Sequence, residues 1–161
     1  VEGIDAIKKR VQLEDEFEVS ELDLAYAHRM QELTGEYVEI PSPPMCALID
    51  LCAERDMNVI ALDMNDADFT ELYCDTVKAW DFVKEHRMAK KGMKRKFKST
   101  TPEGFAHEWD DYVNEVKGYR QVSEKRETYI ASQIRDVAKY RKSLLAVIET
   151  ERAEGVVKQL R

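Results

Sequence analysis

Five acids, Glu21, Asp23, Asp63, Glu149 and Glu151, stand at or just beyond the ends of short apolar runs. Clustered carboxylates of this kind have two chemical uses. They hold a hard cation such as Mg²⁺ or Ca²⁺ through oxygen ligands, or they divide into a general acid and a general base. Glu21 and Glu149 are the weak catalytic candidates of the set. The competing reading is solvation at segment ends, or pairing with Arg29 and Arg152. The histidines are His28, His86 and His107, with no pair at i, i+4, and the chain has no HExxH and no CxxC. Spacing therefore assigns no metal ligand. GxSxG, a glycine-rich phosphate loop and GxGxxG are also missing, so no cofactor is expected and the balance leans away from an enzyme.

A second group of residues points to binding. Residues 84–98, KEHRMAKKGMKRKFK, hold eight Lys or Arg and one Glu, a local charge of +7 in a chain of net −7, so the remaining residues carry −14. So dense a block repels itself and seeks anions. Lys90, Lys91, Lys94, Arg95 and Lys96 are its anion-binding candidates. The anion is an acidic protein, nucleic-acid phosphate, an acidic membrane surface, or the protein's own acidic face. Met93 and Phe97 are apolar members of the block, and with Phe97 its one Phe, Tyr or Trp it lacks the interleaved aromatics of a base-stacking platform.

Positioning these groups falls to a chain of 161 residues, the size of one ordinary domain, 35% charged. No apolar run approaches the ~20 residues of a membrane span, and no signal-peptide pattern opens the chain. Three cysteines, Cys46, Cys52 and Cys74, are too few for a disulfide framework and suit a reducing cytoplasm.

The organising stretch is 143–155, SLLAVIETERAEG. Its unbroken run from Leu144 to Ile148 predicts a strand buried on both faces, as in a parallel sheet. Residues 57–63 (MNVIALD) predict a second strand ending in an acid, and the alternating 17–22 (FEVSEL) a third. Helices are expected over 3–13, over 25–33 with Gly35 as the stop, and over 44–55, with a short extended piece at 37–40. A long helix is expected over about 66–88. Thr101-Pro102-Glu103 caps another, and Ser123 a third. The expectation is a single α/β domain over 1–161. It has a small, mostly parallel sheet and a long helical excursion, about 66–140, between the last two strands.

Several of these segments together resemble the TraB/pheromone-shutdown (PrgY-like) family. Residues 124–131 (EKRETYIA, with Arg126), then an apolar run and VIETERAEGV, are similar in order to its C-terminal part. MCALIDLCAERDMNVIALDMN resembles its helix-then-strand segment ending in an aspartate, here Asp63. Glu21-Leu22-Asp23 with Arg29 resembles its ELD-and-arginine segment. The resemblance implies an α/β fold and membership of a wider group of metal-dependent hydrolases and haem- or peptide-handling proteins. The departures matter more. Where the family has glycine, two residues, histidine, two residues, glycine, this chain has Glu149, Arg152 and Gly155, and Met64 replaces an arginine. The family's opening strand, with its glycine and histidine, has no counterpart here. Arginine stays protonated and neither ligates metal nor moves a proton near neutral pH.

The leading expectation is thus a non-catalytic TraB-like domain acting as a binding or regulatory protein. One alternative is a helical interaction module using the basic block on an acidic partner or nucleic acid. Another is a metal-dependent hydrolase using the carboxylate edge. The aromatic seam of the helical block, with Trp80 and Trp109, predicts a homodimer interface.

Overall fold

The structure is a computed structural model that describes residues 4, 20–39 and 42–161. Among the described residues the regular elements are seven helices: α1 (Glu21–Thr34), α2 (Pro43–Glu54), α3 (Asp66–Thr76), α4 (Ala79–Gly92), α5 (Pro102–Val113), α6 (Lys117–Ala138) and α7 (Thr150–Leu160). No strand occurs among them, so the expected α/β class, with its parallel sheet and helical excursion, is corrected to an all-helical architecture.

The physical reason lies in how the two apolar runs are covered. Residues 57–62 and 143–149 are neither helix nor strand. Of the second run only Ala146 and Ile148 pack on a core, while Leu145 is 83% and Val147 49% exposed. α6 and α7 supply an apolar surface for one face, and nothing within the described residues covers the other. A continuous apolar run therefore did not signal burial on both faces here.

Local chemistry explains the helix ends. Ser20 caps α1: its hydroxyl accepts the Asp23 N–H, and Glu21 and Asp23 sit at the positive end of the helix dipole. Glu21 and Leu22 are thus the first turn of a helix, and the expected strand over 17–22 is wrong at this end. Its first three residues, like Ile40 and all of the expected helix over 3–13 but Ile4, lie outside the described residues. Gly35 closes α1 in the left-handed conformation (φ 77°), as expected of a glycine at that place. Asn65 caps α3 by accepting the Asp68 N–H. The long helix expected to follow breaks at Val77–Lys78, where the backbone turns extended (Val77 ψ 124°) and the Asp81 carboxylate accepts the Lys78 N–H. Thr101 caps α5 as expected, accepting from Gly104. Ser123, expected to start a helix, lies buried inside α6 and donates to the Asn114 side chain.

Two apolar clusters hold α1 and α3 through α7 together. The larger one joins Leu22 and Ala25 of α1, Met88 and Ala89 of α4, Phe105, Trp109 and Tyr112 of α5, and Val116, Tyr119 and Val122. Tyr26 stacks on Phe105 with centroids 5.6 Å apart, and Phe97 meets the same ring edge-on at 5.1 Å. The smaller cluster is Ile130, Ala131 and Ile134 of α6 with Val156 of α7, and Leu62, Ala146 and Ile148 lean on it. α6 therefore runs from one cluster to the other, packing on α3 and on α7, while α5 touches both α1 and α7.

The two tryptophans part company. Trp109 is 6% exposed and Trp80 is 72% exposed. Trp109→Ala is expected to cost about 3–5 kcal/mol through the cavity it leaves, and Trp80→Ala less than about 1 kcal/mol. Urea unfolding of both variants measures the difference.

Candidate functional site

The sequence-selected charges fall into two separate places. In the first, α6 presents Arg126 to the ends of both extended runs. Its Nε donates to Asp63 Oδ2 at 3.0 Å, Nη2 bonds the same oxygen, and Glu149 Oε2 lies 3.9 Å from Nη2. The guanidinium also lies 5.6 Å from the centre of the Phe69 ring. Burial pulls the Arg126 pKa down, but the bond and charge of Asp63 outweigh it and hold the group above its ordinary value. In the first turn of α7, Arg152 donates from Nε to Glu149 Oε2 at 3.0 Å and reaches toward Asp110 Oδ1 at 3.9 Å. Its Nη1 is buried with no hydrogen-bond partner among the described residues.

Gly155 of α7 faces the Glu127 side chain of α6. A Cβ there would overlap the Glu127 carboxylate. Burial raises the Glu127 pKa, with Arg152 opposing and Asp110 adding to the rise. Asp110 is likewise raised by burial, against Arg152. Asp63, Arg126, Glu149, Arg152 and Gly155 are thus brought together, and Asp110 and Glu127 join them. Sequence reading missed these last two because an acid inside an amphipathic helix looks like any solvated one. Their burial is decided by where α7 lands.

Glu21, Asp23 and Arg29 do not join the group, so the expected convergence of five acids is corrected. Glu21 pairs with His86 Nδ1 at 2.6 Å, Asp23 belongs to the α1 cap, and Arg29 bonds Glu32 and reaches the Arg95 carbonyl at 3.5 Å. An edge that would have gathered them exists only in a sheet. Among the described residues no three His, Cys, Asp or Glu side chains are placed to hold a metal ion. His107 Nε2 stands 3.3 Å from the exposed Thr150 hydroxyl. No acid bonds its other ring nitrogen among the described residues, so the third member that orients a catalytic histidine is lacking.

The second place is the end of α4 and the loop after it. Lys90 and Lys91 occupy the last turn, where positive charge suits the helix dipole. Lys90, Lys91, Lys94 and Lys96 are exposed, and none makes an ion pair among the described residues. Arg95 differs: it pairs with Glu115 at 3.0 Å and lies over the Tyr112 ring at 4.5 Å. The loop is anchored, since Phe97 inserts against Phe105 and Trp109, and the Glu108 carboxylate accepts the N–H groups of Lys98 and Ser99, each at 2.8 Å. Beside it, Leu24, Ala25, Ala89 and Met93 line a shallow groove of about 300 Å³ with Glu21 and Lys90 on its rim. Leu24 is 58% exposed, and only the pairing of α1 with α4 makes it part of a groove.

No family model, no curated protein and no solved structure matches the chain.

The raised pKa of Glu127 has a definite consequence for stability. A carboxyl with a folded-state pKa above its ordinary 4.5 stabilises the fold below that value, and this contribution is lost as pH rises through the folded pKa. Glu127→Gln is therefore expected to raise the melting temperature relative to wild type near pH 7 more than below pH 4.5. Melting curves of both proteins across pH measure the gap.

Proposed function

We propose that this protein is a non-catalytic helical interaction module that binds an acidic polypeptide segment through the basic end of α4. The observation that carries this reading is the set of four exposed lysines, Lys90, Lys91, Lys94 and Lys96, without ion pairs among the described residues, on a loop anchored by Phe97 and Glu108. Lysines needed for the fold would sit on acids, as Arg95 does. Anchoring the loop lowers the entropy lost on binding. The neighbouring groove offers apolar contact to a partner that carries an exposed apolar side chain among its acids.

A polypeptide is favoured over a base-stacking nucleic acid because Phe97, the aromatic residue within the block, is spent in the core. The resemblance to the TraB family carries an α/β expectation that the helices do not share. The proposal therefore rests on the basic surface alone. A hydrolytic role at the acids is the weaker reading, because Asp63 and Glu149 are engaged by Arg126 and Arg152.

The test is fluorescence anisotropy with a labelled polyglutamate peptide, and single-stranded DNA in parallel, across a range of salt. Binding should weaken with salt. Replacing Lys90, Lys91, Lys94 and Lys96 together by glutamine should weaken it about tenfold or more and flatten the salt dependence. The melting temperature should fall only slightly, by the helix-dipole contribution of Lys90 and Lys91, whereas Arg95→Gln should lower it through the lost Glu115 and Tyr112 contacts. Absence of peptide binding, or binding indifferent to the four substitutions, overturns the proposal. Tighter binding of the DNA than of the peptide moves the assignment to nucleic acid.

A further inference from the structure

Residues 141–149 leave α6 as a stretch with two unlike faces. Ala146 and Ile148 lean on the cluster of Ile130, Ile134 and Val156, while Leu145 and Val147 face solvent. Among the described residues, no backbone–backbone hydrogen bond reaches 141–148. A segment whose side chains alternate between core and solvent, with no backbone hydrogen bond among the described residues, is a template on which a further strand adds.

Charge says which strand. The stretch opens with Arg141 and Lys142, which are exposed and make no ion pair among the described residues, and it closes on Glu149, already paired with Arg152, with Glu151 just beyond it in the first turn of α7. A copy of the same stretch laid parallel would set like charges side by side. Laid antiparallel, it sets the basic end of each chain against the acidic end of the other, at both extremities.

We infer that residues 141–149 of two copies of this chain pair antiparallel about a two-fold axis, with Leu145 of one copy opposite Val147 of the other. The register follows from geometry. Opposed side chains in an antiparallel pair share a face, so the outward residues 145 and 147 are matched with outward residues of the copy. With the axis at Ala146, each exposed leucine gains a valine as its cross-strand neighbour. The same axis brings Arg141 and Lys142 to the Glu149–Glu151 end of the copy. Such an isologous contact closes on itself and leaves no further copy to recruit. The ribbon exists only between chains and implies no sheet within one. It also lies apart from the basic end of α4 and stands or falls independently of the proposed binding role.

Sedimentation velocity of the full chain from low to high micromolar concentration tests the inference. The wild type should show a monomer–dimer equilibrium. Leu145→Lys and Val147→Lys should each weaken it about tenfold or more. Both should leave the melting temperature of the monomer unchanged, since both side chains are exposed. Register is read by cross-linking on a Cys74→Ser background: a mixture of Leu145→Cys and Val147→Cys chains should oxidise to the mixed disulfide ahead of either homodisulfide. A wild type that stays monomeric at the highest concentration overturns the inference. So does a dimer indifferent to Leu145→Lys, a dimer that is lost in Trp80→Ala and kept in Leu145→Lys, or a preference for either homodisulfide.

Discussion

Burial of the aromatic face of α5 is the constraint on which most of the described structure depends. Phe105, Trp109 and Tyr112 lie four and three residues apart, one stripe of a helix, and each removes some 150–250 Å² from water. No single neighbour can cover such a stripe. α1 lays Tyr26 on it, α4 brings Met88 and Ala89, and the chain after α4 doubles back to insert Phe97. The Tyr112 hydroxyl donates to the Met88 carbonyl at 2.8 Å, so the one polar atom at the end of this stripe is satisfied within it.

That insertion also shapes the basic surface. With Phe97 drawn into the core, its neighbours Lys96 and Lys98 are left in solvent. The Arg95 guanidinium is held over Tyr112, while Glu108 clamps the backbone that follows. A loop of strongly repelling charges would spread in isolation; here apolar burial of one ring and two charge-assisted hydrogen bonds hold it in place. Packing and recognition therefore share residues, with the aromatic rings inside and the lysines outside.

The smaller cluster is governed by charge as much as by burial. Its apolar members are few, and the ends of the two extended runs are tied to α6 and α7 through Arg126 and Arg152 rather than through a backbone ladder. The arrangement is strained in one respect. Glu127 and Asp110 are drawn into a half-buried setting that disfavours their charged forms, and Arg152 offsets this only in part. Burial between α5, α6 and α7 is what imposes that cost.

Much of the helical content was legible in the chain, because caps and stripes are local. Thr101-Pro102, Gly35 and the apolar spacing of α2 and α5 report on a handful of adjacent residues, and the structure places helices there. Ser20 and Asp23 form an equally local capping signature, which the alternation of 17–22 obscured. The basic block and its net charge were legible too, since charge is a property of composition. Partnering was not. Whether an apolar run becomes a buried strand depends on a second backbone beside it and a surface on each face, and 143–149 has a surface on one face only. The same holds for Asp110, Glu127 and Trp80. Each has an ordinary sequence context, and its burial, pKa or exposure arises only once distant helices pack. Residue types and short-range spacing determined the helices and the charges. The tertiary structure alone decided which side chains face water, because burial requires contact between segments far apart in the chain.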